Sequence, residues 1–328
     1  MSIAVCIVSH NTSELLRECL CSVISNQYSV CSIQRAINSP LNTEHCSLNT
    51  GVVVVDNAST DDSAEMVATE FPAVALYRSE TNLGYGAAAN RAIAACHSPY
   101  VLLLNSDTLL QPGALPALET YLDEHSQVAM VGPRYFNANG KLQPSCFPFP
   151  TPLDIFLDVT HAYDLIAHVP FLREKVMRTW AHDRPRRVPW VLGAALAIRR
   201  AAFQAVGGFD DSFFMYYEEA DLCYRLAQAG CETHFAPVTD IVHIGGASTQ
   251  QQRADMIVQL YASLAQFYRR HYSRVRQVEL AMLVSSVAFA RLIRDSLAIG
   301  FTRDQNERAV DIHAWRRLLA GEWQTLGN

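Results

Sequence analysis

The chain has 328 residues, more than a single hydrophobic core usually holds, so one elaborated domain with an appendage or two domains are expected. Half the residues are hydrophobic and 18% charged, an ordinary globular composition, and a formal charge of −6 gives no basis for nucleic acid as a partner. The nine cysteines are scattered and never spaced Cys-x-x-Cys, which argues against a disulfide framework or a zinc ribbon and for a reduced, cytoplasmic compartment.

Residues 3–8 form an apolar run that reads as a first strand, and no basic segment precedes it as in a secretory leader. Asn11 with Glu14 resembles a capping box, followed by a helix with Leu15, Leu16, Cys19, Leu20, Val23 and Ile24 on one face. Residues 25–50 lose all periodicity and read as an insertion or long loop. Within it Cys31, His45 and Cys46 could hold zinc with Cys19 or Cys21, although the spacing is irregular. Residues 52–55, four consecutive valines, form a strand that ends in the acidic turn Asp56-Asn57-Ala58-Ser59-Thr60-Asp61. A helix at 64–71, a strand at 74–77, a helix at about 87–96 and a strand at 101–104 follow. This βαβαβ order predicts a parallel sheet, with Asn11, Asp56 and Asp107 at strand ends along one edge, where ligands of such sheets collect. Asp107, just past the last strand, is placed to hold Mg²⁺ or Mn²⁺; alternatively, Asp107 or Thr108 caps the segment beyond residue 111. Gly84-x-Gly86-x-x-Ala89 invites a dinucleotide-binding reading, but it does not directly follow the first strand; its glycines instead allow a backbone to approach a ligand or a helix to pack on the sheet.

Beyond residue 132 the pattern changes. Residues 136–152 are rich in turns, with Asn139-Gly140 as a hairpin signal, and 154–187 look partly helical. Residues 188–198 read as one buried strand, followed by a short helix ending at Gly207-Gly208. An aromatic stretch then leads into Glu218-Glu219-Ala220-Asp221, which opens a helix capped at Gly230. Three carboxylates in a first turn suit the helix dipole, yet beside an aromatic wall they exceed what a cap requires. Basic residues cluster in 173–187 and at Arg269, Arg270, Arg274 and Arg276, either as solvated faces or against an anionic surface. Residues 278–301 are largely apolar, but the longest uncharged run, 280–290, is too short to span a bilayer. A helix packed on the catalytic domain is expected there, with an interfacial or dimer-forming helix as the alternative.

Six ordered segments carry a resemblance: Ile7-Val8-Ser9-His10-Asn11, Val55-Asp56-Asn57-Ala58-Ser59-Thr60-Asp61, Asn82-Leu83-Gly84-Tyr85, Asn105-Ser106-Asp107, Glu218-Glu219-Ala220-Asp221-Leu222 and His243-Ile244-Gly245-Gly246-Ala247-Ser248. The chain resembles glycosyltransferase family 2, the inverting GT-A enzymes, and within it the rhamnosyltransferase-like branch, over about residues 3–270. The resemblance implies an α/β fold: a Rossmann-like, mostly parallel sheet flanked by helices, in a catalytic domain of 1–270 divided near 132 into nucleotide and acceptor halves. Residues 271–328 would form a helical extension.

The resemblance also implies roles. Ser9, Asn11, Asp56, Asn82, Gly84, Asn105, Ser106 and Asp107 would bind the nucleotide-sugar. Asp107 matches the last Asp of an Asp-x-Asp motif whose first position is here Asn105, leaving one metal carboxylate for Mg²⁺ or Mn²⁺, and His243 would join it. Glu219 stands where the family has its catalytic Asp, in a catalytic set with Glu218 and Asp221, the last orienting an acceptor hydroxyl or the helix start. Because successive helical residues point about 100° apart, Glu218 and Glu219 are not both expected to face the acceptor. The implied reaction moves a sugar, L-rhamnose from dTDP-rhamnose as first choice, from a dTDP- or UDP-sugar to a saccharide or lipid-linked saccharide in cell-surface polysaccharide synthesis. Contact with the inner face of the plasma membrane and a homodimer are compatible with this. A non-catalytic sugar-nucleotide-binding protein and an NAD-dependent oxidoreductase are the alternatives.

Overall fold

The computed structural model describes residues 3–27, 51–160, 162–245, 253–298 and 305–325. Strands β1 (Ile3–Ser9), β2 (Val52–Asp56), β3 (Ala75–Arg78) and β4 (Tyr100–Asn105) are parallel and lie in the order β3-β2-β1-β4. Helix α1 (Ser13–Gln27) follows β1, α2 (Ser63–Glu70) follows β2 and α3 (Tyr85–Ala94) follows β3. All of β1 and β2 is buried because helices cover both faces. With a side-chain period of two, Val5, Ile7 and Val54 meet Leu16, Leu20 and Met66 on one face, and Ala4, Cys6 and Val53 meet Ala88, Ala92 and Ile93 on the other.

The second half of the sheet is mixed. β11 (Ala195–Arg199) runs antiparallel to both β4 and β6 (Val128–Phe136), β12 (Glu232–His243) lies parallel to β6, and β5 (Thr108–Leu110) closes the edge antiparallel to β12. Asn139-Gly140 does turn a hairpin, between β6 and β7 (Leu142–Gln143). β9 (Arg186–Arg187) pairs with β12, and β8 (Cys146–Phe147) with β10 (Trp190–Val191) in a separate ribbon. Helix α4 (Ala114–Glu124) covers the sheet through Leu115, Leu118 and Leu122. The 154–187 stretch contributes α5 (Pro152–Val159), α6 (Ala162–Ala167) and α7 (Pro170–Arg173); α8 (Arg200–Ala205) and α9 (Glu218–Gln228) follow β11.

A third core joins α5 and α9 to the C-terminal helices α10 (Arg253–His271), α11 (Arg274–Ala298), α12 (Gln305–Leu319) and α13 (Glu322–Thr325). α11 packs inward through Leu280, Val284 and Ala288, while Val275, Val278, Met282, Phe289, Ile293 and Leu297 are exposed on its other side. No helix among the described residues is long and apolar enough to cross a membrane.

Three local expectations change. Asn11 and Glu14 form no capping box: the Asn11 side chain accepts from Thr60 N at 2.7 Å, and the Ser13 amide at the start of α1 donates to Asp61 Oδ2 at 3.0 Å. Neither Asp107 nor Thr108 caps α4, because β5 intervenes and Gly113 occupies the cap in a left-handed conformation. Residues 188–198 are two strands, broken at Leu192–Gly193–Ala194, where the backbone leaves the β8 ribbon for the main sheet. Cys31, His45 and Cys46 lie outside the described residues, as do Gly246, Ala247 and Ser248.

Candidate active site

The carboxyl ends of β1, β2 and β4 open on a cavity of 340 Å³, closed on its other sides by Leu192–Gly193–Ala194, the loop before α9, and Met256 of α10. Its lining includes Asn11, Asn82, Asn105, Ser106, Asp107, His243, Glu218 and Glu219. Ser9, Asp56, Gly84 and Asp221 are not among the residues that line it.

At the β1 and β2 ends the polar groups are tied to one another. Asn57 Nδ2 donates to Asn82 Oδ1 at 2.9 Å and to the Gly84 carbonyl at 3.1 Å, and Asn57 Oδ1 accepts from Leu83 N at 2.9 Å. That side chain fixes the Gly84 turn beside the strand end. Asp56 accepts from Ser59 N at 3.2 Å through Oδ2, while its Oδ1 is buried without a protein partner. Ser9, Thr12 and Ser106 form a buried hydroxyl chain, with contacts of 3.0 and 2.8 Å, that braces the end of β1 against that of β4.

Asp107 and His243 come together from distant parts of the chain, with Nε2 3.5 Å from Oδ1. β5 pairs with β12 so that His243 lies opposite Thr108, one residue past Asp107. His243 Nδ1 lies 3.0 Å from Gln143 Oε1, an acceptor, so Nδ1 carries a proton. The Nε2 facing the carboxylate is then either protonated or free to share a cation with it, and the neighbouring Asn105 Oδ1 is buried without a partner. Oxygen and imidazole donors suit Mn²⁺ and, less well, Mg²⁺. No group of three or more His, Cys, Asp or Glu able to hold a metal occurs among the described residues. Asp107 and His243 would therefore fit a cation whose remaining ligands come from a bound molecule and water.

Glu218 and Glu219 are both more than nine-tenths buried, and both line the cavity. They line it from different sides, and the chain enters α9 through Tyr216 and Tyr217, both in the left-handed region with φ of 70° and 64°. Glu218, at the very start of the helix, turns toward Gly86, and Glu219 lies against Gly193, whose amide it accepts at 3.3 Å. Each carboxyl has one oxygen without a partner. Burial pushes Glu219 up to about 7, and it pushes Glu218 up as well, with the charge of Glu219 adding to the effect. Two bulky residues held at positive φ are a local cost kept where the geometry of these carboxyls depends on it.

Asp221 has different surroundings. Its side chain is 1% exposed and receives Arg225 at 2.7 Å and His271 Nε2 at 2.7 Å, which hold it below the ordinary carboxylate range despite burial. It anchors α9 instead of facing the cavity. The Gly84 turn also differs from expectation: Gly84 has φ 80° and ψ 173°, and a Cβ there would stand 2.3 Å from the Phe214 carbonyl, which accepts from Tyr85 N at 2.8 Å. A Cβ on Gly86 would meet Phe209 at 3.2 Å. These glycines make room for the loop that leads to Glu218.

Sequence reasoning passed over His10, Asn57, Tyr85 and the 192–194 break, all of which line the cavity. Gly193 inside an apolar run was the available signal, since an isolated glycine in a strand pattern marks a bulge or a close approach.

The half-parallel, half-mixed sheet with its crevice at the β1 and β4 ends is the GT-A fold of glycosyltransferases. Two solved structures share it: a mannosyltransferase from Pyrobaculum calidifontis in complex with GDP-Man and Mn²⁺ (TM-score 0.54, 17% identity, 98% of this chain and 88% of that one), and GalNAc-T7 with UDP, GalNAc and Mn²⁺ (0.52, 13%, 97% and 56%). Residues 4–180 match the model of Glycosyl transferase family 2 and residues 159–319 that of Glycosyl transferase family group 2. The chain belongs to glycosyl transferase family 2. It is 29% identical over 238 residues, 68% of this chain and 75% of the relative, to the N-acetylglucosaminyl-diphospho-decaprenol L-rhamnosyltransferase of Mycobacterium tuberculosis. To rhamnosyltransferase WbbL of Escherichia coli it is 41% identical over 56 residues, 17% of this chain and 21% of that protein.

Proposed function

We propose that the protein is an inverting glycosyltransferase that moves L-rhamnose from dTDP-rhamnose to a lipid-linked saccharide in the synthesis of cell-surface polysaccharide. The observation that carries this is the meeting, in one cavity, of a partly unsatisfied buried carboxyl pair, Glu218 and Glu219, with the Asp107–His243 pair. The sugar and the acceptor follow the mycobacterial relative, whose name specifies an L-rhamnosyltransferase acting on an N-acetylglucosaminyl-diphospho-decaprenol; dTDP as the nucleotide follows the resemblance to the rhamnosyltransferase-like branch.

Residues 1–132 bring the nucleotide side of the site. Asn11 and Asn82 line the cavity, and Asp56 Oδ1, buried and unpaired, is an acceptor available to a base or ribose donor. Asp107 and His243 would hold a divalent cation, which when bound supplies Lewis-acid stabilisation of the charge growing on the departing diphosphate. Glu219 takes the proton from the attacking acceptor hydroxyl. An ionisation near neutral pH suits a general base, and attack from the face opposite the leaving group inverts the anomeric centre. Glu218 keeps its proton, because two buried neighbouring carboxyls do not both ionise readily. Leu192, Phe214, Met215 and Tyr216 line the cavity and would limit water, the competing nucleophile.

A lipid-linked acceptor places the enzyme at a bilayer, and the exposed apolar side of α11 is available for that contact. In the basic cluster before it, Arg270 is paired with Asp210 and Arg276 with Glu279, so the apolar side carries more of the attraction than the sequence suggested. The test is transfer from dTDP-rhamnose and from UDP-sugars to an N-acetylglucosaminyl-diphospho-lipid, with and without Mn²⁺ and with the product anomer read by NMR. Transfer only from UDP-sugars overturns the donor, a retained anomer overturns the mechanism, and no transfer from any donor favours a non-catalytic binding protein.

A further inference from the structure

Four polar residues on one side of α10 bind the chain on both sides of the Glu218–Glu219 pair, three before it and one after. Ser263, 1% exposed, donates its hydroxyl to the Met215 carbonyl at 2.6 Å. Gln266 donates to Ser212 Oγ, and Arg270 reaches the same oxygen at 2.9 Å while pairing with Asp210. His271 donates through Nε2 to Asp221 Oδ1 at 2.7 Å, with its ring against Tyr224 and Phe267 at centroid distances of 4.2 and 4.7 Å. Positions 263, 266 and 270 are spaced three and four apart, with 271 beside them, so a single helical face makes all of these contacts.

The segment so held is also tied at its start, where Asn90 donates to Asp211 and the Phe213 amide to the Asp210 carbonyl, but its last two residues are strained. Tyr216 and Tyr217 are both left-handed, and α9 has no side-chain cap at its start. Consecutive non-glycine residues in that region are strained and persist only where their surroundings over-determine them. On the far side Phe214 rests on the Gly84 turn.

We propose that α10 is a clamp: Ser263, Gln266 and Arg270 hold residues 210–217 in their strained path, His271 holds Asp221 in the first turn of α9, and together they set where the Glu218 and Glu219 carboxyls stand. They are positioning residues that act through the loop and through Asp221. The proposal rests on the reading that this carboxyl pair serves the transfer.

The experiment uses the full chain and joins hydrogen exchange across 210–221 to kcat, donor KM and their pH dependence. In His271→Ala, exchange in that segment should rise tenfold or more. Turnover should fall roughly tenfold to a hundredfold, the scale of small misplacements, with donor KM within about twofold. The acid limb of the rate profile should move to lower pH, since water admitted by the loosened turn relieves the burial that raises Glu219. His271→Gln, whose amide nitrogen can reach Asp221, should restore most of the rate. Ser263→Ala, a mild change, should show the same pattern at smaller size and keeps the test open if His271→Ala does not fold. Unchanged exchange in Ser263→Ala and His271→Ala, or a glutamine variant as impaired as the alanine one, overturns the clamp. Failure of the base assignment would show separately, as a Glu219→Gln enzyme of normal rate whatever the exchange results.

Discussion

Replacing Glu219 with glutamine should make the protein more stable and much less active, and the two effects should separate with pH. The folded-state value, about 7, lies above the ordinary 4.5, so folding favours the protonated carboxyl. That stability is fully present below pH 4.5 and is lost as pH rises through about 7. At 1.36 kcal/mol per tenfold change in proton affinity, the ionised residue costs roughly 3 kcal/mol in alkaline solution, an upper figure because water can enter the cavity. Glutamine keeps the shape without the charge, and it also removes the field that raises Glu218. Urea unfolding of wild type and Glu219→Gln should give equal midpoints near pH 4.5 and a variant more stable by about 2–3 kcal/mol at pH 9. Turnover should fall by at least ~10²-fold with donor and metal affinity nearly unchanged, the sign of an interaction made only in the transition state. A stability difference that does not change between pH 4.5 and 9 would refute the burial argument, and normal turnover would refute the role.

The other predictions concern the remaining parts of the site. Glu218→Gln should be milder in turnover, because it mimics a carboxyl that stays protonated; a dead Glu218→Gln beside an active Glu219→Gln would reverse the assignment. Asp107→Ala should abolish Mn²⁺-dependent binding of the nucleoside diphosphate in calorimetry with the fold intact, and His243→Ala should weaken it less. Gly84→Ala should destabilise by at least ~1–3 kcal/mol from the backbone conformation alone and should also displace Phe214, lowering both melting temperature and turnover. Flotation with anionic vesicles should recover the full chain and should fade only in part with salt, because Arg270 and Arg276 are paired within the protein; equal flotation of a chain ending near Arg270 counts against α11 as the contact.

Much of the nucleotide half could be read from the chain, because its signals are local. A buried parallel strand appears as an unbroken apolar run, and the abrupt change from Leu104 to Asn105-Ser106-Asp107 marks a strand end without reference to anything distant. The same holds for the Asn139-Gly140 hairpin and for the Gly230 stop of α9. The resemblance to glycosyltransferase family 2 rested on such segments, and the family match agrees with it.

Tertiary structure decided what depends on residues far apart in sequence. The approach of His243 to Asp107 follows from β5 pairing with β12, a register that neither segment announces by itself. Asp221 looked like a member of the acidic site, but fifty residues later His271 claims it, and only helix packing shows that. The Gly84–Gly86 turn carries a nucleotide-like spacing, yet its glycines accommodate the backbone of Phe214 and the ring of Phe209, over a hundred residues on. Composition and periodicity determine which segments become strands and helices, because those choices are settled by each segment's own burial pattern. Which carboxyl is buried, which is paired and which faces a cavity is settled by desolvation and by partners that only the folded chain supplies.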